Sequence, residues 1–172
     1  MIRTKILLTC FAVLVLPGMV FAQSRFFGTL KCQRTNSPPS AGASVKATQT
    51  IQTVMEKCAW TLPLQIDADI AQDAQNTFVM QAQGTQSKDT GMQVGRMTNS
   101  DQFTLNLSGS STLGNDGAAR GRGGTWTFAG GTGRLKGVIG SGTYTGLATA
   151  DGGMNYDMEG TYEIPAVSTK DP

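Results

Sequence analysis

The residues that could do chemistry in this 172-residue sequence are carboxylates, cysteines, tyrosines and arginines, because the sequence contains no histidine. Histidine is the commonest general base and metal ligand, and it activates many serine and cysteine nucleophiles. We therefore expect no metal, no cofactor and no nucleophilic hydrolase site. This composition favours a binding or structural protein over an enzyme.

Two acidic groups are the candidates for acid–base or metal chemistry. Asp157 and Glu159 share one side of a predicted strand, and paired carboxylates can act as acid and base when burial separates their pKa values. The alternation around them is more typical of a strand's solvent face. A second group is Asp67, Asp69 and Asp73. The segment that contains them lacks the glycine and the terminal glutamate of an EF-hand calcium loop. We assign neither group a catalytic or metal-binding role.

The N-terminus has the pattern of a secretory signal peptide. Arg3 and Lys5 precede the apolar run Ile6–Val20, and a small residue, Ala22, stands before Gln23. This order predicts cleavage after Ala22 and a secreted or periplasmic protein. The predicted parts are a signal peptide (1–22), one β-barrel domain (23–166) and a disordered tail (167–172).

Export changes the charge balance. The whole chain carries a formal net charge of +2, and removal of Arg3 and Lys5 leaves 12 basic residues against 12 acidic ones. A neutral protein has no long-range attraction for nucleic acid. The stretch Arg120–Gly124 (RGRGG) resembles one arginine–glycine RNA-binding unit, but it is single and lacks interleaved aromatics. We predict a solvated loop there and no nucleic-acid partner.

Two cysteines, Cys32 and Cys58, remain after cleavage. Both fall on the apolar parity of predicted strands, Phe26–Cys32 and Cys58–Ile66, so both side chains should point inward. An even pair in an oxidising compartment is more often bridged than free. We therefore predict a Cys32–Cys58 disulfide, with two reduced, buried cysteines as the alternative.

The elements that must position these residues are short strands. The stretch Gly124–Gly146 contains two alternating runs on either side of a glycine-rich connection, which is typical of antiparallel strands with one buried face. Seven or eight such runs of about five to seven residues predict an all-β sandwich or barrel. Only Asp67–Gln75 has helical composition, and it could equally be an acidic loop. A membrane-spanning barrel is less favoured, because its strands need roughly 9–11 residues and aromatic girdles.

The glycines at Gly130, Gly131 and Gly133 suggest turns rather than a phosphate site. A phosphate loop needs either G-x-x-x-x-G-K-[ST] or a G-x-G-x-x-G that enters a helix, and neither pattern is present. Glycine is favoured in tight turns because it adopts positive φ without strain. We predict a structural role for these three residues.

The same region resembles a known group of barrels. The string Gly130–Gly137 (GGTGRLKG), with Trp126–Phe128 before it and Glu159–Tyr162 after it, resembles small exported bacterial proteins of unknown function. It is similar, more loosely, to dirigent proteins and allene oxide cyclases. The resemblance implies a single antiparallel eight-stranded calycin-like barrel that can enclose one small apolar ligand. No catalytic residue of the plant cyclases matches a motif in this sequence.

Three functions follow as hypotheses. The first is a barrel that binds a small apolar molecule or a partner without catalysis. The second is a dirigent- or cyclase-like protein that steers a reaction by cavity shape, and the third is a structural surface protein. The sequence leaves the oligomeric state open. Alternation places five aromatic residues on candidate ligand-facing positions: Trp126, Phe128, Tyr144, Tyr156 and Tyr162.

Overall fold

The computed structural model describes residues 23–35 and 49–165. The predicted signal peptide (1–22), the tail (167–172) and most of the loop after the first strand lie outside these residues. The described part contains nine strands and one 3-10 turn, Gly133–Leu135. The strands are β1 Ser24–Arg34, β2 Thr50–Leu62, β3 Gln65–Ile66, β4 Asp69–Gln83, β5 Gln86–Met97, β6 Gln102–Leu113, β7 Ala119–Gly131, β8 Ile139–Ala148 and β9 Met154–Glu163.

Eight of these strands close into a barrel. They follow the order β2-β1-β9-β8-β7-β6-β5-β4, and β2 also pairs with β4, so the sheet returns to its start. Every pairing is antiparallel, and the two-residue strand β3 is added beside β4. The predicted all-β, eight-stranded antiparallel barrel is confirmed. No helix among the described residues is long and apolar enough to cross a membrane.

Alternation along each strand decides which side chains enter the barrel. In β9, Met154, Tyr156, Met158 and Tyr162 are buried, whereas Asp157 and Glu159 are exposed on the outer face. Removing the inward side chains from water supplies the main driving force for folding. The placement of Asp157 and Glu159 agrees with the predicted solvent face.

The strands are longer than the sequence predicts. They run for 10 to 15 residues, apart from β3, whereas the predicted runs had about five to seven. Asp67–Gln75 does not form a helix, and from Asp69 onward this segment belongs to β4. A register shift between Ala71 and Asp73 breaks the two-residue period there. The small inward side chains of Ala71 and Ala74 also give a weak hydrophobic signal, so this segment was wrongly predicted.

Glycines on the inner wall make room for aromatic rings. A Cβ on Gly91 would lie 2.7 Å from the Phe78 ring, and one on Gly146 would lie 2.6 Å from the Tyr156 ring. Gly95 faces Phe103 in the same way. An eight-stranded barrel is only just wide enough for side chains to fill. Rings from some strands therefore pack over bare backbone of their neighbours, and the interior is filled.

The filled interior has two parts. The aromatic half contains Phe26, Phe103, Trp126 and Phe128, and the Phe26 and Trp126 rings lie 4.3 Å apart. The polar half lies toward the end of the barrel where β1 ends and β2 begins. Its buried polar side chains are Glu56, Asn76, Ser87, Asp89, Gln93, Ser111 and Arg122.

The disulfide joins the first two strands inside the barrel. Cys32 of β1 and Cys58 of β2 are direct cross-strand partners, and their sulfur atoms are bonded. Both residues are buried. The predicted pairing is confirmed, and it fits an oxidising extracellular or periplasmic compartment.

Candidate functional site

The five aromatic residues that were predicted as ligand contacts all lie on the inner face of the barrel. They do not form one cluster there. Trp126 and Phe128 belong to the aromatic half, where their rings lie 5.6 Å apart. Tyr144 and Tyr156 belong to the polar half, with rings 6.3 Å apart. Tyr162 is separate from both pairs, and its hydroxyl accepts a hydrogen bond of 2.9 Å from the backbone N–H of Asp67.

Trp126 is fully enclosed. Its side chain is completely buried, and its indole N–H donates to the carbonyl oxygens of Thr143 and Glu159, at 3.1 and 3.2 Å. Inner-wall glycines, Gly142 and Gly160, leave the space that its ring occupies. Trp126 therefore acts as a packed core residue in this conformation, and its role as a ligand contact stays a prediction.

The centre of the polar half is Arg122 on β7. Its side chain is 1% exposed, and it forms ion pairs with Glu56 at 3.4 Å and with Asp89 at 3.1 Å. The guanidinium group also donates to the Tyr156 hydroxyl at 2.7 Å and lies over the Phe78 ring, 4.0 Å from its centre. One arginine thus connects residues from five strands.

The sequence placed this arginine wrongly. We predicted a solvated loop for Arg120–Gly124, but the stretch is part of β7 and Arg122 points into the barrel. Arg122, Trp126 and Phe128 share one parity along β7, and this was the only available signal. It was obscured because Gly121, Gly123 and Gly124 surround Arg122 and glycine gives no hydropathy contrast.

Each carboxylate of the network has further partners. Asp89 accepts hydrogen bonds from the hydroxyl groups of Ser87, at 2.6 Å, and Ser111. Glu56 accepts from the Tyr156 hydroxyl at 3.1 Å and from the Asn76 amide at 3.1 Å. Buried carboxylates are tolerated when their lone pairs are satisfied in this way. Neither Asp89 nor Glu56 was predicted from the sequence as a site residue.

The network shifts the pKa values of its central groups. Burial alone would lower the pKa of Arg122, but Tyr156, Glu56 and Asp89 outweigh it and raise that pKa. Burial, together with the nearby charge of Glu56, raises the pKa of Tyr156 well above its usual value. Arg122 is therefore a permanent cation, and Tyr156 is a neutral phenol that can donate a proton in a hydrogen bond.

A small cavity lies beside the network. Its volume is about 10 Å³, which is room for about one water molecule. It is lined by Phe78, Tyr144 and Tyr156 on the aromatic side and by Asn76 and Gln93 on the polar side, together with Leu107 and Met158. The side-chain oxygen of Gln93 and the hydroxyl of Tyr144 are buried without a hydrogen-bond partner. Two of the side chains that line the cavity therefore carry a polar atom that has no partner.

The burial of Tyr144 should make the stability of the protein depend on pH in the alkaline range. Burial raises the pKa of Tyr144 to about 12, against an ordinary value of 10.0. The unfolded chain then loses this proton before the native protein does. Ionisation of Tyr144 should therefore leave the stability of the wild type unchanged below pH 10 and lower it as the pH rises through about 12.

Urea unfolding between pH 8 and pH 12 tests this expectation, with Tyr144→Phe as the comparison. The variant should be as stable as the wild type near pH 8, because it removes a hydroxyl that has no partner. It should lose less stability than the wild type above pH 10. Parallel losses in the two proteins would contradict the shifted pKa.

The three glycines predicted as turn residues differ in their surroundings. Gly133 has φ of 53°, a conformation that favours glycine, and a Cβ there would overlap the Asp101 carboxylate. Gly130 has φ of 155° and belongs to the end of β7. Gly131 does not have a positive φ, and a Cβ there would lie 2.5 Å from the carbonyl oxygen of Leu135. Its requirement for glycine is steric rather than conformational.

Among the described residues, one group of side chains has the types and proximity that a metal ion would need. Its members are Cys32, Glu56 and Cys58, all buried, with potential ligand atoms within 4.8 Å of one another. Both sulfur atoms are used by the disulfide. The acidic residues that the sequence considered for calcium are apart from this group, and Asp69 and Asp73 pair with arginines.

No protein-family model matches the chain, and a search of curated proteins finds no match to it.

Proposed function

We propose that this protein is exported and that the polar half of its barrel binds a small uncharged molecule with an apolar body and a hydroxyl or carbonyl group. One observation carries the proposal. Two buried polar atoms without partners, the Gln93 side-chain oxygen and the Tyr144 hydroxyl, belong to side chains that line the cavity beside the Arg122 network. A ligand could satisfy both atoms.

The energetic cost of the network supports a functional role for it. A buried ion pair costs several kcal/mol per ion in desolvation, and apolar side chains of similar volume often replace such a pair without loss of stability. A barrel of this width could be filled with apolar residues alone. Clusters of buried ionisable groups with shifted pKa values are typical of functional sites. We therefore regard the polar half as the binding site.

The lining of the cavity defines the class of ligand. Phe78, Leu107 and Met158 offer apolar contacts, the Gln93 oxygen can accept a hydrogen bond, and the Tyr144 hydroxyl can donate or accept one. The nearest charges, Arg122, Glu56 and Asp89, are already paired with one another. An uncharged ligand disturbs these pairs least, because an added ion would have no buried counter-charge of its own.

Binding requires movement, because the present cavity holds about one water molecule. Met158 lines the cavity, and methionine has a flexible side chain that repacks readily. The cost of this rearrangement reduces the net affinity. We expect dissociation constants of about micromolar or weaker.

The test uses the exported protein, whose intact mass should correspond to a chain that begins at Gln23. Calorimetric titration with p-cresol and with cyclohexanone should show saturable binding, whereas methylcyclohexane, which has no polar group, should bind more weakly. Gln93→Leu should weaken p-cresol binding by about tenfold, because the hydrogen bond to the buried oxygen is lost. Gln102→Leu on the outer face is the matched control.

Two results would contradict the proposal. The first is the absence of saturable binding for all three probes. The second is equal affinity of the wild type and Gln93→Leu for p-cresol. Either would favour the structural surface role, in which the filled barrel is only a scaffold.

A second candidate function is a dirigent- or cyclase-like reaction. Its supporting observation is the Tyr156 phenol, which bonds to both the Arg122 cation and the Glu56 carboxylate. Such a phenol could pass a proton between a bound substrate and Glu56. The resemblance of Gly130–Gly137 to dirigent proteins and allene oxide cyclases supports the same idea. Conversion of a bound probe that Tyr156→Phe abolishes would distinguish catalysis from simple binding.

A further inference from the structure

A second feature of the polar half does not depend on the ligand proposed above. The disulfide Cys32–Cys58 lies next to the Glu56 carboxylate, and the three potential ligand atoms lie within 4.8 Å of one another. The Asn76 amide donates to the Glu56 carboxylate at 3.1 Å and contacts the Cys32 sulfur at 3.7 Å. Asn76 thus holds the carboxylate beside the sulfur atoms.

We propose that reduction of the disulfide converts Cys32, Cys58 and Glu56 into a binding site for a thiophilic divalent cation such as Zn²⁺ or Cd²⁺. The site exists only in the reduced protein. Redox state would then decide whether this part of the barrel is closed by a covalent bridge or by a metal ion.

The chemical step balances with a dithiol as the reductant. The dithiol supplies two electrons and two protons, the sulfur–sulfur bond breaks, and the dithiol becomes a disulfide. Cys32 and Cys58 are then thiols. A divalent cation displaces their two protons into solvent and binds both sulfurs as thiolates.

The charges of the polar half favour the binding of a divalent cation between Cys32, Cys58 and Glu56. Arg122 pairs with Glu56 and Asp89, and Arg34 of β1 is the cross-strand partner of Glu56. These two cations and two anions sum to zero. Two thiolates would add two negative charges, which is costly in a buried site. One divalent cation restores neutrality.

The geometry and the ligand types also agree with a zinc-like ion. Tetrahedral zinc has Zn–S distances of about 2.3 Å and Zn–O distances of about 2.0–2.2 Å, so its neighbouring ligand atoms lie roughly 3.6–3.8 Å apart. The three atoms lie within 4.8 Å of one another, and the sulfurs need only separate after reduction. Thiolates prefer Zn²⁺ and Cd²⁺ over Mg²⁺ and Ca²⁺.

The experiment is a Cd²⁺ titration of the exported protein, before and after reduction with a phosphine. The reduced protein should bind one Cd²⁺ per chain and develop the ultraviolet charge-transfer absorption of a thiolate–cadmium bond. The oxidised protein should show no such band. Excess Mg²⁺ or Ca²⁺ should not compete, and bound Cd²⁺ should raise the thermal stability of the reduced protein.

The role of the carboxylate is tested with a matched pair of variants. Glu56→Gln should weaken Cd²⁺ binding by at least about tenfold, because it removes a ligand from the ion. Asp89→Asn removes the other carboxylate that pairs with Arg122 but no ligand, so it should weaken Cd²⁺ binding clearly less than Glu56→Gln does. A double Cys32→Ala, Cys58→Ala variant should show no charge-transfer band.

Three outcomes would overturn the proposal. One is a reduced wild type without the thiolate–cadmium band. Another is equal weakening in Glu56→Gln and Asp89→Asn, which would indicate a general effect of charge. The last is a reduced protein that loses the circular dichroism of the barrel and does not recover it with Cd²⁺, because a genuine native-state site must favour folding when metal is added.

Discussion

Arg122→Met should destabilise the protein by about 3–5 kcal/mol, the cost expected when one partner of a buried ion pair is removed. Methionine fills similar space, so the main loss is electrostatic. Glu56 and Asp89 would stay buried, at 6% and 0% exposure, without the cation that now compensates them. Urea unfolding at pH 7 measures the change.

Two further variants test whether the loss of stability comes from the buried charge network. Arg120→Met lies two residues away on the same strand, where Arg120 forms an exposed ion pair with Asp116, and it should cost less than about 1 kcal/mol. The triple variant Arg122→Met, Glu56→Gln, Asp89→Asn should recover much of the stability, because it removes all three charges together. A single Arg122→Met that is as stable as Arg120→Met would show that the network does not compensate these carboxylates.

Gly124→Ala should be the most damaging replacement of a glycine by alanine in β7. A Cβ at position 124 would lie 2.6 Å from the Cα of Gly109 and would overlap the carbonyl oxygen of Ser108. Both obstacles are backbone atoms of β6, so no side-chain rotation relieves them. Forced overpacking costs about 1–3 kcal/mol and occasionally more, and we expect the upper end of this range.

Gly121→Ala on the same strand is the matched control. The nearest atom to a Cβ there, other than its chain neighbours, is the Gly146 carbonyl oxygen at 3.8 Å. This substitution should be neutral, or stabilising by up to about 1 kcal/mol, because alanine restricts the unfolded chain more than glycine does. Thermal unfolding of the two variants side by side measures the difference. Equal stability would mean that β6 and β7 are not packed as closely as described.

Much of the fold could be predicted from the sequence alone. Alternation of apolar and polar residues has a period of two, and this period determines strand structure and the side of the sheet that each residue faces. It correctly placed Trp126, Tyr144 and Tyr156 on the inner face and Asp157 on the outer face. The same parity, together with the predicted export to an oxidising compartment, predicted the Cys32–Cys58 disulfide.

Where parity failed, the inward residues were small or charged. The small side chains of Ala71 and Ala74 gave only a weak hydropathy signal at the start of β4. The glycines around Arg122 gave no hydropathy contrast along most of β7. A hydropathy pattern detects burial only when the buried side chain is large and apolar. Inner-wall glycines such as Gly91, Gly95 and Gly146 make room for rings, and the sequence did not predict this role because glycine carries no hydropathy signal.

The candidate site was decided by the tertiary structure. Arg122 meets Asp89 across 33 residues of sequence and Glu56 across 66, on strands that do not follow one another in the chain. Even a correct parity would only assign each of these residues to the interior, and it would not say which interior residues are neighbours. That depends on the order of strands around the barrel and on closure through the β2–β4 pairing. Closure of the barrel places the Arg122 guanidinium between the Glu56 and Asp89 carboxylates and buries all three. These charged residues therefore form a connected site only in the assembled barrel.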